Sequence, residues 1–367
     1  MTPFSLGPQD LSTLLLDVDD LAAVLDDVGV EAFLDQLIEQ ITSDVSGFDP
    51  ALVQYKVRTG FNYDTPEHGL IEWMPTMLTG DIVSVKTVGY HPRNPSERSI
   101  PSVLATTALY DTNSGGLVAL TEATLLTALR TGAASAVITN AAAKDSPITL
   151  GVVGCGAQAV TQIHAISRVR TISRLIVTDI DGATAKSLAS RLPDNLPRPE
   201  VHARAGFDVA VPELDVLVTA TSTEPGAGPV VDLTRAASHL HINAVGADFP
   251  GKTELPESYV CNSDVVVIPD VIDQCLAEGE AQYLDESELG PDMVEVLSRD
   301  WLALRGQQTI FDSTGWAYED LIATTLFVAH AIRLGLGEMV DFQRSPRDPH
   351  DPYEILRTTA ALRTDSQ

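Results

Sequence analysis

Positive charge is scarce in this sequence. Its 367 residues include 23 Lys and Arg against 51 Asp and Glu, so the formal net charge is -28 at pH 7. Only five of the cations are lysines, at positions 56, 86, 144, 186 and 252. A chain this acidic repels phosphate backbones and anionic lipid headgroups. We therefore expect neither nucleic acid nor a membrane surface as a partner.

Cysteine is also rare. Cys155, Cys261 and Cys275 form an odd, scattered set without CxxC spacing, which argues against a disulfide framework and against a zinc site. His239 and His241 lie on the same face of a predicted strand. Two histidines without a third ligand are more often structural, so we predict no metal.

Long apolar runs and targeting signals are missing as well. No stretch of about 18 uninterrupted apolar residues occurs, and the start "MTPFSLGPQD" has neither a basic n-region nor an apolar h-region. These absences predict a soluble, cytoplasmic protein.

What the chain does have is 44% hydrophobic residues, enough for a sizeable core and, at this length, for two domains. From residue 148 a strand, a glycine turn, a helix and a strand follow one another. Further strands are predicted within "LDVLVTATS", "HLHINAVGAD", "SDVVVIPD" and "TIFDSTG". Strands that alternate with helices predict a parallel sheet covered on both faces.

The N-terminal part shows a different pattern. Up to about residue 120, the helical stretch "VEAFLDQLIEQI" accompanies alternating runs such as "GDIVSVKTVGY" and "SVLATTALYD", which predict strands. Residues 121–143 have helical spacing, and a last helix is predicted from "YEDLIATTLFVAHAIRLGLG". We expect the tail that follows this helix to return to the N-terminal domain.

The stretch "GVVGCGAQAV" at residues 151–160 has Gly154, Gly156 and Ala159 in the order of a dinucleotide-binding turn. There the first glycine allows the bend, the second lets the backbone meet the pyrophosphate, and the small third residue lets helix and strand pack. The next predicted strand ends at Asp179, where a carboxylate can bond the ribose hydroxyls and repel a 2′-phosphate. The pattern favours NAD over NADP. A glycine turn without a ligand is the structural alternative.

A second informative stretch is "HINAVGADFPGKTELP" at residues 241–256, in which a strand leads into a loop with Asp248, Gly251 and Lys252. Ligands of doubly wound sheets bind in the crevice outside the carboxyl ends of the strands. Asp248 is therefore a candidate site residue, although the spacing alone equally allows a turn or cap residue.

Three cations of the N-terminal half form a third set. Arg58 lies in "YKVRTGF", Lys86 in "VSVKTVGYHPRNP" and Arg130 in "LTALRTGAASA". A carboxylate substrate needs such donors, with Arg for bidentate binding and Lys as a mobile point charge. The alternative is that they are surface cations that balance the abundant acid.

These stretches together resemble one known family. Six motifs occur in the same order between about residues 50 and 320 as in the ornithine cyclodeaminase and mu-crystallin family: "GLIEWMP", "VKTVGYHPRNP", "ALRTGAASA", "GVVGCGAQAVTQ", "HINAVGADFPGKTEL" and "FDSTG". Variants such as "HINAVGAD" and "FDSTGWAYED" are most similar to the branch that contains bacterial lysine cyclodeaminases.

The resemblance implies an α/β fold in two parts. A Rossmann-type doubly wound parallel sheet over residues 129–317 would bind NAD. Residues 1–128 and 318–367 would form an α+β substrate-binding and dimerisation domain. The implied protein is a homodimer whose substrate is a small molecule, an amino acid.

The resemblance also implies roles for individual residues. The substrate carboxylate would be held by Arg58, Lys86 and Arg130, with Lys86 also near the reacting carbon. Asp248 would be the general acid and base, Glu72 would face the side-chain amine, and Met74 would line the same pocket. The cofactor would be lined by Thr131, Gly154, Gly156, Ala157, Gln158, Asp179, Lys252 and Ser313.

The implied reaction is the NAD-dependent conversion of a basic L-amino acid to a cyclic imino acid with loss of ammonia: L-lysine to L-pipecolate, or L-ornithine to L-proline. Hydride would leave the α-carbon and later return to it, and Asp248 would carry the protons. Two alternatives stay open. One is an amino-acid dehydrogenase or ketimine reductase of the same family. The other is a non-enzymatic ligand-binding protein resembling mu-crystallin.

Overall fold

The computed structural model describes residues 11–145, 147–299, 302–343 and 345–357. Within these ranges, the N-terminal part forms, in chain order, β1 (Thr13–Leu16), α1 (Val18–Val28), α2 (Val30–Ser46), β2 (Val53–Tyr55), β3 (Thr59–Tyr63), β4 (Gly69–Leu78), β5 (Ile82–Tyr90), α3 (Asn94–Arg98), β6 (Val103–Asp111), β7 (Leu117–Glu122) and α4 (Thr124–Ala142).

The chain continues with a second set of elements. These are β8 (Ile148–Val153), α5 (Ala157–Val169), β9 (Ile172–Thr178), α6 (Gly182–Ser187), β10 (Glu200–Val201), α7 (Arg204–Ala210), β11 (Val216–Thr219), β12 (His241–Ala244), α8 (Glu257–Val260), β13 (Val265–Pro269), α9 (Ile272–Glu278), α10 (Met293–Ser298), β14 (Gln308–Asp312), α11 (Ala317–Leu334) and β15 (Glu338–Val340).

The later strands form a seven-stranded sheet in the order β10-β9-β8-β11-β12-β14-β13, and each neighbouring pair in it is parallel. The chain starts at β8, moves outward to β10, and then returns to β11 on the other side. This reversal puts the topological switch point between β8 and β11, where doubly wound sheets bind their ligands. The predicted Rossmann-type sheet is confirmed.

The earlier strands form an eight-stranded sheet, ordered β15-β1-β7-β6-β5-β4-β2 with β3 also paired to β4. Most of its pairs are antiparallel, whereas β1 and β7 are parallel. Strand β15 pairs antiparallel with β1. The tail after α11 therefore does return to the N-terminal part of the chain, as predicted.

Helix α4 joins the two halves of the structure. It packs against α5 on one side and against α2 and α11 on another. Its residues 132–139 are all buried, and four of them are Gly or Ala, which lets the neighbouring helices approach closely. The predicted domain boundary between residues 128 and 129 falls inside this helix, and the division itself stays a prediction.

The largest core cluster lies between the helices of the N-terminal half and α11. Helix α2 contributes a stripe at helical spacing, and Phe33, Leu37 and Ile41 on it are 0% exposed. Helix α1 starts at a capping box, in which Asp17 accepts from two backbone amides. Across the described ranges, no helix combines the length and apolar character needed to cross a membrane.

Candidate active site

The glycine turn follows β8 directly. Gly154 has φ +91°, and a Cβ there would lie 2.5 Å from the carbonyl oxygen of Ala220. Gly156 is the N-cap of α5, and a Cβ there would meet nothing within 4 Å. The first glycine is therefore required by backbone conformation and packing, whereas the second leaves open space where a side chain would stand at the start of α5. This is the geometry expected of a phosphate-binding turn.

Asp179 lies at the tip of β9, beside this turn. Its carboxylate accepts from the backbone N–H of Cys155 at 2.7 Å and of Asp181 at 2.8 Å. Arg191 also contacts this turn and was not predicted from the sequence. Its guanidinium donates to the carbonyl oxygens of Cys155 at 2.7 Å and Gly156 at 3.3 Å. No local pattern marks Arg191, because only the fold brings it to the turn.

Other residues predicted to line the cofactor lie at the start of α5, on α4 and directly after β14. Ala157 is the first residue of α5, and Gln158 donates to the carbonyl oxygen of Ala128 where α5 meets α4. Thr131 lies on α4, about one helical turn after Ala128. Ser313 follows β14, is 3% exposed, and has a hydroxyl without a hydrogen-bond partner among the described residues. A buried, unpartnered hydroxyl and an open glycine turn fit a dinucleotide at the carboxyl ends of β8 and β14.

Lys86 and Arg130 are the most deeply buried of the three predicted carboxylate-binding cations, at 1% and 5% exposure. Strand β5 carries Lys86 and α4 carries Arg130, and both reach Asp320 at the start of α11. The ammonium of Lys86 and Nε of Arg130 each lie 2.9 Å from Oδ1 of Asp320. The guanidinium of Arg130 also lies 2.9 Å from Glu319.

Arg58 completes the set from the segment before β3. Its Nε lies 2.6 Å from Glu278, its Nη1 lies 3.8 Å from Glu72, and it donates to the carbonyl oxygen of Thr314. Met74 pairs with Lys86 in the register of β4 and β5, which puts Glu72, Met74 and Lys86 on one face of the sheet.

The structure thus brings the three cations together and contradicts the alternative that they are surface charges. Each is paired with an internal carboxylate, and these partners, Glu278, Glu319 and Asp320, were not predicted. Glu319 and Asp320 are the last two residues of the quoted stretch "FDSTGWAYED", so this motif could have identified them. Glu278 ends the short helix α9 and had no signal.

Burial shifts the pKa of several of these groups. It lowers the pKa of Lys86 to about 8, against the opposing effect of Asp320, and the charges of Arg130 and Arg58 lower it further. Burial raises the pKa of Glu278 to about 7 and that of Glu319 to about 8, although Arg58 and Arg130 oppose these shifts. The pKa of Glu72 is also raised by burial. The site therefore holds several groups that can exchange protons near neutral pH.

Asp248 lies in the loop after β12 and lines a pocket together with Leu70 and Tyr90 of the first sheet. Its Oδ1 accepts from the ammonium of Lys252 at 2.8 Å, and its side chain is 39% exposed. Lys252 is 4% exposed and lies 5.5 Å from the ring centroid of Tyr90 on β5. The charge of Asp248 is close enough to raise the pKa of Glu72 and of Glu278. Asp248 therefore lies near the two carboxyl groups that pair with Arg58.

The two histidines have structural partners. Nε2 of His239 lies 2.8 Å from Asp215, and Nδ1 of His241 lies 2.8 Å from the hydroxyl of Thr309. Within the residues that the structure describes, no group of three or more His, Cys, Asp or Glu is arranged to hold a metal ion.

A Rossmann-type sheet with a glycine turn, facing a second sheet that holds buried cations, defines the class: an α/β protein with a dinucleotide-binding architecture and a cleft between two sheets. The sequence profile of the ornithine cyclodeaminase/mu-crystallin family matches residues 18–333. The chain belongs to this family.

Similar proteins agree with this assignment. Over 349 residues the chain is 37% identical to L-lysine cyclodeaminase of Streptomyces rapamycinicus, covering 94% of this chain and 100% of that one. A solved structure on the recognition of L-lysine, L-ornithine and L-2,4-diaminobutyric acid by lysine cyclodeaminase has TM-score 0.89 and 39% identity, over 94% of this chain and 99% of that one. An archaeal alanine dehydrogenase dimer with bound NAD has TM-score 0.77 and 26% identity, over 90% and 100%.

The raised pKa of Glu278 leads to a prediction about pH and stability. Below about pH 4.5 this carboxyl is protonated in both the folded and the unfolded chain, and its contribution to stability is fully present. As pH rises toward 7, the unfolded chain loses the proton first, so the free energy of unfolding falls. The Glu278→Gln side chain cannot titrate. Between pH 4.5 and 7, the free energy of unfolding of the wild type should therefore fall by about 1–3 kcal/mol relative to that of the variant.

Urea unfolding of both proteins at several pH values between 4.5 and 8 measures this difference. The difference in the free energy of unfolding between the variant and the wild type should become constant above pH 7. A difference that stays constant over the whole range would contradict the raised pKa.

Proposed function

We propose that this protein converts a basic L-amino acid, L-lysine or L-ornithine, to the cyclic imino acid L-pipecolate or L-proline with release of ammonia, using NAD as a recycled hydride carrier. The observation that carries the proposal is the arrangement of the cleft. Arg58, Lys86 and Arg130 lie close together against internal carboxylates, and Asp248, in the loop after β12 of the Rossmann-type sheet, is near enough to raise the pKa of Glu72 and Glu278 beside Arg58. The similarity to lysine cyclodeaminase supports it.

The cations would bind the substrate carboxylate. Arg58 is already paired with Glu278, and Lys86 and Arg130 are paired with Asp320. The substrate carboxylate would therefore join these ion pairs or replace one of the internal carboxylates. A buried guanidinium binds a carboxylate with two parallel N–H donors, which fixes the orientation of the α-carbon. Fixed orientation of the reacting carbon supplies a large part of the rate acceleration in such sites.

NAD would lie along the carboxyl edge of the Rossmann-type sheet. Gly154, Gly156, Ala157 and Gln158 would face its pyrophosphate, with Thr131 close by, while Asp179 would accept from the adenosine ribose and Ser313 would donate its free hydroxyl. Lys252 would reach it from the Asp248 loop. When bound, NAD supplies a reversible hydride acceptor for the α-carbon.

Asp248 would carry the protons of the reaction. The terminal amine of the substrate must lose a proton before it attacks the α-carbon, and ammonia must gain one as it leaves. A partly exposed carboxylate in the cleft can do both. The carboxyl of Glu72 lies on the same side as the cations and would face the terminal amine. Since the reaction uses soluble metabolites and NAD, a cytoplasmic location would suit it.

The division of labour follows the proposed domains. Residues 1–128 and 318–367 would bind the substrate and form the dimer, and residues 129–317 would bind NAD. The outer face of the first sheet supports a homodimer: Phe61, Ile71, Gly89 and Leu104 are register neighbours across β3, β4, β5 and β6. Phe61, Ile71 and Leu104 are 69%, 42% and 46% exposed, which leaves an apolar row uncovered.

The dimer proposal is tested by Ile71→Glu, which introduces a charge in the middle of this row. We expect the variant to sediment as a monomer, because an unpaired charge in an apolar interface is costly. Val201→Glu, on the exposed edge strand β10 of the other sheet, is the control and should leave the dimer intact. Sedimentation velocity distinguishes the cases, and a wild-type monomer would refute the proposal.

Asp248→Asn tests the proton carrier. The change keeps the shape of the side chain but removes the base, so turnover should fall by roughly 10²–10⁴-fold. The melting temperature should change little, because the Asn oxygen can still accept a hydrogen bond from Lys252 and the side chain is partly exposed. Asp264→Asn, an exposed aspartate at the amino end of β13, is the control and should keep full activity. A fully active Asp248→Asn protein would return Asp248 to a purely structural role.

The reaction itself is tested with α-deuterated lysine or ornithine in the presence of excess unlabelled NADH. One ammonia should appear per turnover, NAD should be needed only in catalytic amounts, and the label should reappear at the α-carbon of pipecolate or proline. Mass spectrometry of the product and an ammonia assay give both readouts.

The alternatives predict different outcomes of the same experiment. A dehydrogenase would pass deuterium to free NADH and accumulate absorbance together with ammonia. A ligand-binding protein would release no ammonia. Loss of the label to the bulk cofactor pool would refute the cyclodeaminase proposal.

A further inference from the structure

Three carboxylates with no role so far lie at the carboxyl edge of the seven-stranded sheet. Glu254, Glu280 and Asp312 are each 0% exposed. Burying a carboxylate is unfavourable unless hydrogen bonds replace its water. Their partners are therefore the first thing to identify.

Each carboxylate accepts two backbone N–H groups from another segment. Glu254 accepts from Thr221, after β11, at 2.7 Å and from Gly246, after β12, at 2.9 Å. Glu280 accepts from the amides of Glu254 at 2.7 Å and Leu255 at 3.1 Å.

Asp312, at the end of β14, continues the same pattern. It accepts from the amides of Glu280 at 3.0 Å and of its neighbour Ala281 at 2.9 Å. A continuous chain of six hydrogen bonds thus runs from the end of β14 to the ends of β11 and β12.

Glu254, the last carboxylate in this series of hydrogen bonds, closes the loop that carries Asp248. Glu254 is the final residue of the segment 246–254, and its side chain binds the amide of Gly246 at the beginning of that segment. A Cβ at Gly246 would lie 2.5 Å from the Glu254 carboxylate, so this contact requires glycine there. Within the closed segment, Lys252 bonds Asp248.

We propose that Glu254, held in turn by Glu280 and Asp312, is a positioning residue that sets where Asp248 stands in the cleft. The proposal rests on the proton-carrying role of Asp248 given above. Leaving a buried amide unpaired is costly, so the two bonds that Glu254 accepts hold the beginning of this loop against the end of β11. Firm placement matters because an error of about 1 Å in a reacting group can cost about 10²-fold in rate.

Glu254→Gln tests the proposal, because the amide side chain keeps the size but offers only one acceptor oxygen to the two N–H groups. We expect kcat to fall by about 10²-fold. KM should change little, because the cations that bind the substrate carboxylate lie on other elements. Hydrogen–deuterium exchange should rise in a peptide covering residues 245–256 and stay unchanged in β8.

Asp215→Asn is the matched control. Asp215 is also a buried carboxylate of this sheet and accepts from the amide of Thr149 at 2.8 Å, but it lies at the amino end of β11, on the opposite edge. We expect this variant to lose thermal stability without a change in kcat or in exchange of residues 245–256. A fall in kcat equal to that of Glu254→Gln would show a general loss of stability and overturn the proposal.

A folded Glu254→Gln protein with wild-type kcat would also overturn it. If that variant does not fold, Glu280→Gln removes the next link and should lower kcat and raise exchange of residues 245–256. Wild-type values of both would refute the proposal. Should the wild-type protein release no ammonia, the proposed function fails by itself, and the exchange data still decide whether Glu254 holds the loop.

Discussion

The carboxylate of Asp320 is shared by two buried cations, Lys86 from β5 and Arg130 from α4. Three elements that are far apart in the sequence therefore meet at one charge cluster. A buried ion that loses its partner destabilises a protein by several kcal/mol, so none of the three elements can shift alone. The face of the first sheet, the central helix and the start of α11 are held together at the place where the cleft opens.

The same cluster explains how so acidic a chain builds a cation-rich pocket. Arg58, Lys86 and Arg130 are few among many carboxylates, and each is buried against one or two of them. Burial strengthens each pair because the local dielectric is low, and it leaves Lys86 and Glu278 with pKa values of about 8 and about 7. The pocket thus combines concentrated donors for a carboxylate with groups that can exchange protons near neutral pH. Such a site suits a substrate that brings both an acid and an amine.

Carboxylates serve a second purpose at the edge of the seven-stranded sheet. There Glu254, Glu280 and Asp312 accept backbone amides that would otherwise be unsatisfied in the interior. Loops at this edge must be irregular in order to surround a ligand, and irregular buried backbone needs side-chain acceptors. The acidity of the chain is therefore partly internal and architectural.

The sequence by itself determined much of this protein. Alternating and apolar runs predicted the strands, the order Gly154, Gly156 and Ala159 predicted the turn, and six ordered motifs predicted the family. These features are local, since a period of two, a glycine at positive φ or a run of helical spacing acts within a few residues. Strand β4 was quoted as a motif but not predicted as a strand, and it contains Pro75, a residue that is unusual in a sheet interior.

Only the tertiary structure decided which charges pair. Glu278 binds Arg58, Asp320 joins Lys86 to Arg130, and Arg191 reaches the glycine turn across long stretches of chain. Pairing of this kind depends on how sheets and helices pack, and no spacing in the sequence records it. The same holds for Glu254, whose carboxylate closes the Asp248 loop only because the ends of β11, β12 and β14 lie side by side in the folded sheet.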